Sequence, residues 1–217
     1  MECFISCKKI LTMGIVMNKN LYSGKLIAFD GPNGAGKTTI IQELKKELEK
    51  RGIETYFTKE PTENELGCFV KKYAEKCDGI SVACMVAADR YQHLKDEIVP
   101  QLENGKIVIT DRYVLSSLIL QRMDEVSEEF ILALNNEIVQ PDLQIVVFAD
   151  SDVIQNRLKE RSCLTRFEKG NKTNIELEYM ERGIQVLQAQ GIEVFRLTND
   201  NNLRNSVAKV TQEIINL

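Results

Sequence analysis

The residues best placed to do chemistry form a glycine-rich loop that runs from Gly31 to Thr38. This loop reads Gly-x-x-x-x-Gly-Lys-Thr, and it lies between an apolar run, Leu26 to Phe29, and apolar residues that recur at helical spacing from Ile40. A strand, a glycine loop and a helix in this order are the setting in which the pattern binds phosphate, because the glycines let successive backbone N–H groups point inward at an anion. We therefore expect the chain to bind a nucleoside triphosphate.

The side chains of this loop have separate expected roles. Lys37 brings a mobile positive charge to the β- and γ-phosphates, and the Thr38 hydroxyl is a ligand for Mg²⁺. The helix that begins near Lys37 points its positive end at the same anion. The predicted ATP-binding residues are Gly31, Pro32, Asn33, Gly34, Ala35, Gly36, Lys37, Thr38 and Thr39, with Arg157 from later in the chain. A glycine-rich turn without a ligand is the alternative, and this context disfavours it.

A carboxylate, Asp111, follows an apolar run over residues 106–110 that predicts a strand. The carboxyl ends of parallel strands meet at one edge of a sheet, so we expect Asp111 beside the phosphate loop, where it can hold Mg²⁺ directly or through water. Arg112 comes next, and its planar fork suits an acceptor phosphate. A capping aspartate beside a solvated arginine is the alternative. Glu60, before Pro61, ends another predicted strand in the same way, although a solvated loop glutamate has the same local pattern.

A basic segment, residues 156–172, contains Arg157, Arg161 and Arg166 together with lysines. Arg157 and Arg161 are four residues apart and share a helix face, and the repulsion between two like charges favours a polyanionic ligand. We interpret the segment as a lid that closes over ATP and brings a positive charge to the transferring phosphoryl group. A solvated basic face is the alternative.

A further arginine, Arg90, follows Ala87, Ala88 and Asp89 in a stretch with helical spacing. The small residues permit close approach, so Arg90 can reach a ligand, and a salt bridge along the helix face is the alternative. His93 has no serine or cysteine partner in evidence. We interpret it as structural, which leaves nucleophilic triad chemistry without support.

Composition bounds the class of protein. The chain has 217 residues and a net charge of −4, which argues against a general nucleic-acid or membrane-surface binder. No stretch reaches the roughly 20 apolar residues that span a membrane. Six cysteines show no paired C-x-x-C, so we expect free thiols and a cytoplasmic protein. We expect one domain over residues 24–217, preceded by an extension, residues 1–23, without functional weight.

The elements that must position these residues alternate between helix and strand. Helix, glycine and strand follow one another at Gly52, Gly105 and Gly191, which is typical of a parallel sheet with helical crossovers. The predicted strands are residues 26–29, 54–58, 106–110, 143–148 and 194–197. The predicted helices begin near residue 37 and cover 66–76, 82–102, 114–122, 127–138, a stretch from 152, 175–189 and a stretch from 203. Five strands with crossovers predict an α/β doubly wound sheet with nucleotides at the carboxyl ends of its strands.

The motifs, in their order and spacing, resemble those of thymidylate kinases. The matching stretches are Asp30 to Thr39, Thr58 to Pro61, Ala87 to Leu94, Asp111 to Gln121, Pro141 to Leu143 and Arg157 to Glu168. The resemblance covers nearly everything from Leu26 to the C-terminus. It implies a P-loop nucleoside-monophosphate-kinase fold, with a five-stranded parallel sheet flanked by helices and an arginine-rich lid. It also implies a homodimer that converts ATP and dTMP to ADP and dTDP with Mg²⁺.

The resemblance also implies roles for single residues. Arg90 is similar to the arginine that contacts the base, and Arg112 to the arginine that holds the acceptor phosphate. No arginine lies within the glycine loop, so the lid must supply one; Arg161 is our choice and Arg157 the second. The implied catalytic residues are Lys37, Asp111, Arg112 and Arg161. The implied acceptor-binding residues are Glu60, Pro61, Val86, Arg90, Arg112, Ser117, Leu120 and Gln121. The implied metal ligands are Thr38, Asp111 and Glu60.

The acceptor half of the pattern departs from the family. Val86 stands where the family usually stacks a Phe on thymine, and Leu120 stands where it has a Tyr. Asn33 replaces an acidic residue of the glycine loop, and residues 62–64 replace a Gly-Gly-Thr. We expect weaker thymidylate binding and relaxed exclusion of a 2′-hydroxyl, unless another aromatic restores the wall; the candidates are Phe69, Tyr73 and Tyr91.

Two other functions stay open at this point. One is a kinase for another pyrimidine monophosphate or for a deoxynucleoside. A nucleoside kinase needs a carboxylate base that takes the proton of the neutral 5′-hydroxyl. The other is a nucleotide-binding regulator without turnover. The intact Lys37, Thr38 and Asp111 argue against the regulator, and Arg112 with the basic lid favours a monophosphate acceptor.

Overall fold

A five-stranded parallel sheet is the centre of the fold. The computed structural model describes residues 16–160, 164–168, 173–199 and 202–217. The strands are β1 (Lys25–Asp30), β2 (Thr55–Lys59), β3 (Ile107–Asp111), β4 (Leu143–Phe148) and β5 (Glu193–Thr198). Their order across the sheet is β2-β3-β1-β4-β5, and every neighbouring pair is parallel. The predicted α/β fold with a five-stranded parallel sheet is confirmed.

Helices connect the strands and cover both faces of the sheet. They are α1 (Lys37–Lys50), α2 (Glu65–Ala74), α3 (Gly79–His93), α4 (Val99–Glu103), α5 (Val114–Met123), α6 (Glu128–Leu134), α7 (Ser151–Lys159), α8 (Thr173–Ala189) and α9 (Leu203–Ile215). The chain alternates strand and helix because apolar residues are continuous in the buried strands and recur at helical spacing between them.

The helix predicted over residues 82–102 is interrupted in the structure. A π-helical turn, Leu94–Ile98, separates α3 from α4, and the Val99 N–H bonds to the Leu94 carbonyl five residues back. Pro100 stands in the first turn of α4 and has no N–H to give to the carbonyl four residues before it. The ladder of i to i−4 bonds is therefore broken at this point, and the local widening compensates for it.

The register of the sheet brings the predicted chemistry to one edge. Phe29 of β1 and Lys59 of β2 both pair with Asp111 of β3. The glycine loop after β1, Glu60 after β2 and Arg112 after β3 therefore leave the sheet side by side. This is the edge where doubly wound sheets bind nucleotides.

Two apolar clusters hold the sheet between its helices. Leu26 and Ala28 point into a cluster formed with α3, α5 and α8, whereas Ile27 and Phe29 point into one formed with α1 and α9. Successive side chains of a strand point to opposite faces, so β1 contributes to both. Burial on both faces fixes the strand that carries the glycine loop.

The segment before β1 packs against the domain. The Met17 side chain is 2% exposed and belongs to the core, and Asn18 forms a parallel bridge with Val139. The Asn20 amide donates to Asp142 Oδ2 at 2.6 Å. The predicted domain boundary at residue 24 therefore falls after residues that already contact the domain, and residues 1–15 of the predicted extension lie outside the described residues.

Two further features of the described residues bear on the sequence predictions. None of the helices described is long and apolar enough to cross a membrane. Cys68, Cys77 and Cys84 are free thiols, and the other three cysteines lie outside the described ranges.

Candidate active site

The glycine loop closes tightly between β1 and α1. Gly31 has a φ of 144° and Gly36 a φ of 95°, a region of backbone conformation that favours glycine. A Cβ at Gly31 would meet the Val147 carbonyl, and one at Gly36 would meet the Asn199 amide. The backbone conformation therefore favours glycine at both positions, and at Gly31 the main-chain carbonyl of Val147 also leaves no room for a side chain.

Lys37 lies inside this loop. Its side chain is buried, and Nζ donates to the carbonyls of Gly31 at 2.7 Å and Pro32 at 3.0 Å. Burial, and next the positive charge of Arg112, lower the pKa of Lys37 to about 7. The loop therefore holds a desolvated cation that an anionic ligand would stabilise.

The stability of the protein should depend on pH through Lys37. Its pKa is about 7 in the folded protein against an ordinary 10.5, so between these values the unfolded chain binds more protons and stability rises with pH. Below about pH 7 both states are protonated and the full desolvation penalty is present. We expect wild type to gain unfolding free energy relative to Lys37→Met between pH 7 and pH 9.5, as measured by urea unfolding. A difference between the two proteins that does not change with pH would contradict this assignment.

The first cavity lies over the glycine loop and has a volume of about 460 Å³. It is lined by Asn33, Gly34, Gly36, Lys37, Thr38, Thr39, Ile40, Asp111, Arg112, Arg157, Asn199 and Leu203. Arg157 Nη1 donates to the Gly34 carbonyl at 3.0 Å, and the Asn199 amide donates to the Ala35 carbonyl at 2.7 Å. Asn199 was missed from the sequence, because no motif signals its position after β5.

Thr38 and Asp111 meet at the wall of this cavity. Thr38 Oγ1 donates to Asp111 Oδ2 at 3.2 Å, and Asp111 Oδ1 is buried without a hydrogen-bond partner. An orphaned carboxylate oxygen beside a hydroxyl fits a hard cation, which prefers oxygen ligands. No group of three or more acidic, His or Cys side chains suited to a metal occurs within the described residues, and Mg²⁺ in phosphoryl-transfer sites often has only one or two carboxylate ligands.

Glu60 points away from this pair. One carboxylate oxygen lies 2.8 Å from both Nε and Nη2 of Arg90, and the other lies 3.3 Å from His93 Nδ1. His93 Nε2 in turn contacts the Thr58 hydroxyl at 2.6 Å. Glu60 lines the second cavity and not the first, so the structure does not bring it to Thr38 as a shared metal ligand. His93, interpreted from the sequence as structural, contacts this glutamate in the structure.

Arg112 stands at the junction of the two cavities and lines both. Its φ is 78°, which is rare for a residue with a side chain, and such backbone strain is common at functional sites. Nη2 donates to Asn33 Oδ1 at 2.7 Å and Nη1 to Ser116 Oγ at 3.0 Å. Two hydrogen bonds hold this backbone conformation. The Arg112 N–H donates to the Phe29 carbonyl, and the Arg112 carbonyl accepts from the Thr110 hydroxyl.

A buried acid that sequence reasoning missed lies behind Arg112. Asp30 is fully buried, accepts a short hydrogen bond from Ser116 and accepts another from Gln144 Nε2 at 3.1 Å. Burial raises the pKa of Asp30 to about 6, against the lowering effects of the Ser116 hydrogen bond and of the charges on Arg112 and Lys37. The sequence places Asp30 beside the loop, but only the fold brings it to Ser116.

Asn33 is held from a second side by a glutamate of α8. The Asn33 N–H donates to Glu176 Oε1 at 3.3 Å, and burial raises the pKa of Glu176. Glu176 was also missed, since an acidic residue in the first turn of a helix reads as ordinary helix capping.

The second cavity has a volume of about 370 Å³ and a mostly apolar lining. It is lined by Asn33, Glu60, Pro61, Val70, Lys71, Ala74, Glu75, Val82, Val86, Arg90, Arg112, Ser116, Ser117, Leu120, Gln121, Thr165 and Phe167. All eight residues expected on the acceptor side, Glu60, Pro61, Val86, Arg90, Arg112, Ser117, Leu120 and Gln121, are in this set. The fold therefore gathers residues that are up to 61 positions apart in the sequence, from Glu60 to Gln121.

Arg90 is held firmly at the side of this cavity. Its side chain is 1% exposed, and it donates to Ser117, Asn135 and the Tyr113 carbonyl as well as to Glu60. The guanidinium also lies 5.3 Å from the centre of the Tyr113 ring. The Arg90 side chain is therefore held in one position, which suits recognition of one edge of a ligand.

Gln121 offers an unsatisfied polar atom to the same cavity. Its side chain is 4% exposed, and Oε1 is buried without a hydrogen-bond partner. An amide oxygen left in this state is destabilising by about 1–3 kcal/mol unless a water or a ligand donates to it. This is the polar feature of the cavity that most directly calls for a hydrogen-bond donor on the ligand.

The aromatic residues expected to restore the cavity wall do not reach it. Phe69 and Tyr73 stack on each other at 5.3 Å between ring centres and are partly exposed, whereas the Tyr91 hydroxyl bonds to the Leu134 carbonyl. Phe167 lines the cavity instead. Arg161, the predicted catalytic arginine of the lid, lies outside the described residues.

Known proteins with similar sequences are thymidylate kinases. The family model described as thymidylate kinase matches residues 29–210. This chain belongs to the thymidylate kinase family. It is 38% identical to a thymidylate kinase of Caldicellulosiruptor saccharolyticus over 144 residues, which are 63% of this chain and 70% of the other. It is 32% identical to the probable thymidylate kinase of Pyrococcus abyssi over 202 residues, 89% of this chain and 95% of the other.

Membership of the thymidylate kinase family gives the two cavities a common context. The chain is a nucleoside monophosphate kinase, a phosphotransferase that uses ATP. The matched range begins within β1 and ends within α9, so it contains every lining residue of both cavities. Resemblance at the level of motifs and similarity over the whole domain therefore agree.

Proposed function

We propose that this protein phosphorylates dTMP to dTDP with ATP as the donor. The observation that carries the proposal is that two cavities meet at one arginine, Arg112. One cavity is built on a phosphate-binding loop, and the other has apolar walls, a buried arginine and an unpartnered amide oxygen. If a triphosphate binds in the first cavity and the base of a nucleotide binds in the second, the γ-phosphate of the donor and the phosphate of the acceptor both lie near Arg112.

The first cavity is the proposed donor site. The loop amides and Lys37 hold the β- and γ-phosphates, so that the lysine exchanges its two carbonyl partners for phosphate oxygens. Thr38 and Asp111 are the residues that would hold Mg²⁺, which supplies charge neutralisation at these phosphates. Glu60 is retained only on the acceptor side, because its carboxylate is already bonded to Arg90 and His93.

The second cavity is the proposed acceptor site. The Arg112 fork, now bonded to Asn33 and Ser116, is placed to grip the acceptor phosphate bidentately and to set its oxygen in line with the γ-phosphoryl group. A phosphate oxygen arrives already ionised, so no general base is required. For this reason a monophosphate suits the site better than a nucleoside.

The polar groups at the apolar part of this cavity support thymine as the base. Thymine presents an N3–H donor, which the orphaned Gln121 Oε1 would accept, and an O4 acceptor, which Arg90 would satisfy by sharing an N–H that Glu60 now receives. Ser117 holds Arg90 by accepting from Nη1 at 3.1 Å, and its own O–H stays available to donate to the ligand.

The arginine that approaches the transferring phosphoryl group is proposed to be Arg161, with Arg157 second. Arg157 lines the donor cavity, which supports a role at the phosphates. We also propose a lid, a homodimeric assembly and a cytoplasmic location, as the resemblance to thymidylate kinases implies. Nucleic acid and membranes are not among the proposed partners.

A coupled assay of ADP release across acceptors tests the proposed function. Wild-type protein with ATP and Mg²⁺ should turn over dTMP, with dUMP, UMP and dCMP below it and thymidine inactive. Turnover of thymidine above dTMP would replace the proposal with a nucleoside kinase. Absence of turnover on every acceptor, with ATP still bound, would replace it with a non-catalytic nucleotide-binding protein.

A further inference from the structure

The apolar wall of the second cavity contains one aromatic ring among its described residues, that of Phe167. The other apolar side chains of the lining are aliphatic: Pro61, Val70, Ala74, Val82, Val86 and Leu120. A planar base gains most from a flat π-surface, because stacking involves the whole face of both rings. Phe167 is therefore the lining residue whose chemistry best matches a pyrimidine ring.

Phe167 is held in place by its neighbour Arg166. The guanidinium carbon of Arg166 lies 3.9 Å from the centre of the Phe167 ring, as in a cation–π contact. The same guanidinium binds both carboxylate oxygens of Asp124, through Nη1 at 2.7 Å and through Nη2. The main-chain N–H of Arg166 donates to Glu75 Oε2 at 3.2 Å. The residues that directly follow α2 and α5, Glu75 and Asp124, thus anchor the segment that carries the ring.

The bidentate pair is protected from solvent. The side chains of Arg166 and Asp124 are 21% and 6% exposed. Asp124 directly follows α5, three residues after Gln121. The end of one helix therefore carries both the polar contact proposed for the base and the anchor of the aromatic wall.

We propose that Phe167 stacks on the acceptor base and that the Arg166–Asp124 ion pair positions it there. This inference rests on the proposed function, since it concerns the acceptor of the same site. It gives the specificity of the acceptor site to a residue from the segment between α7 and α8, rather than to the helix that carries Val86.

The test is steady-state kinetics of Phe167→Leu and Phe167→Ala beside wild type. Leu keeps an apolar side chain of similar size and removes the ring, so it separates stacking from loss of packing. We expect the KM for dTMP to rise about 5- to 100-fold in both variants. The KM for ATP and kcat should stay within about threefold, and Phe167→Tyr, which keeps the ring, should raise the KM for dTMP less than Phe167→Leu does. Phe130→Ala, which truncates an exposed aromatic on α6, is the matched control and should change nothing.

An acceptor without a base sharpens the result. Transfer to 2-deoxyribose 5-phosphate, measured at high concentration, should be equally slow in wild type and Phe167→Leu, because there is no ring to stack. An equal loss on this acceptor and on dTMP would overturn the stacking role and leave only a general effect on the site.

The positioning role is tested through Asp124→Asn. This variant should raise the KM for dTMP towards the value of Phe167→Leu. The double variant, Asp124→Asn with Phe167→Leu, should have no higher KM for dTMP than Phe167→Leu alone, since the two changes remove the same interaction. Additive losses would overturn the positioning role of the ion pair. An active wild type whose KM for dTMP is unchanged by Phe167→Leu would overturn the inference while the proposed function stands. A wild type without dTMP turnover would overturn the proposed function first.

Discussion

Replacing Lys37 with alanine is expected to remove measurable turnover and to leave the protein folded. The Lys37 ammonium already lies within the loop, 2.7 Å from the Gly31 carbonyl, so it needs only to exchange carbonyl partners to reach a phosphate. Its burial lowers its pKa, which means that the folded protein gains little from the charge when no ligand is bound. Loss of the side chain should therefore reduce kcat by at least about 10³-fold while the unfolding transition remains cooperative.

The measurement is kcat of Lys37→Ala with dTMP and saturating ATP, together with urea unfolding. Lys46→Ala is the matched control, since Lys46 is on the same helix, 62% exposed, and pairs with Glu43 on the surface. It should retain full activity. Activity of Lys37→Ala within about tenfold of wild type, only about 1.4 kcal/mol of barrier, would rule out this loop as the centre of the reaction.

Replacing Arg112 with glycine is expected to reduce kcat/KM for dTMP by about 10³-fold or more, because the guanidinium is proposed to hold the acceptor phosphate in line. Glycine is the informative substitution. It adopts the observed φ of 78° without strain, so a loss of activity cannot be assigned to a distorted backbone. Arg112→Lys should recover only a small part of the activity, since the planar fork is lost.

Kinetics of these two variants beside Arg182→Ala decide the role of Arg112. Arg182 is an exposed arginine that pairs with Glu128, and its removal should have no effect on turnover. Arg112→Lys with nearly full activity would show that a point charge is sufficient and would remove the bidentate grip from the mechanism. Arg112→Gly with nearly full activity would move the acceptor phosphate elsewhere.

The sequence by itself determined the parts of this protein that depend on neighbours along the chain. The glycine loop, the strand before it and the helix after it are local patterns, because glycine conformation and apolar periodicity act within a few residues. The strand ends at Asp111 and at Glu60 could be placed for the same reason. Since parallel strands end at one edge, the pattern also predicted that these residues share that edge, and the structure confirms it.

Only the tertiary structure decided which partner each of these side chains has. Glu60 has the same local setting as Asp111, yet its carboxylate is bonded to Arg90 and His93, which are at least 30 positions away. Asp30 and Ser116 are 86 positions apart, and neither position alone predicts their contact. Burial makes such pairings obligatory, because a charge removed from water must be compensated by a partner. The local sequence cannot name that partner.

The wall of the acceptor cavity shows the same division. The absence of an aromatic at Val86 and Leu120 was visible in the sequence, but its replacement was expected from Phe69, Tyr73 or Tyr91, which are closer along the chain. The structure places Phe167 in the wall, on a segment that Asp124 and Glu75 anchor. A cavity can be closed by any segment whose ends the fold brings near it. Distance along the chain therefore does not identify the ring that closes it, and here the long-range contacts of Arg166 with Asp124 and Glu75 hold Phe167 at the wall.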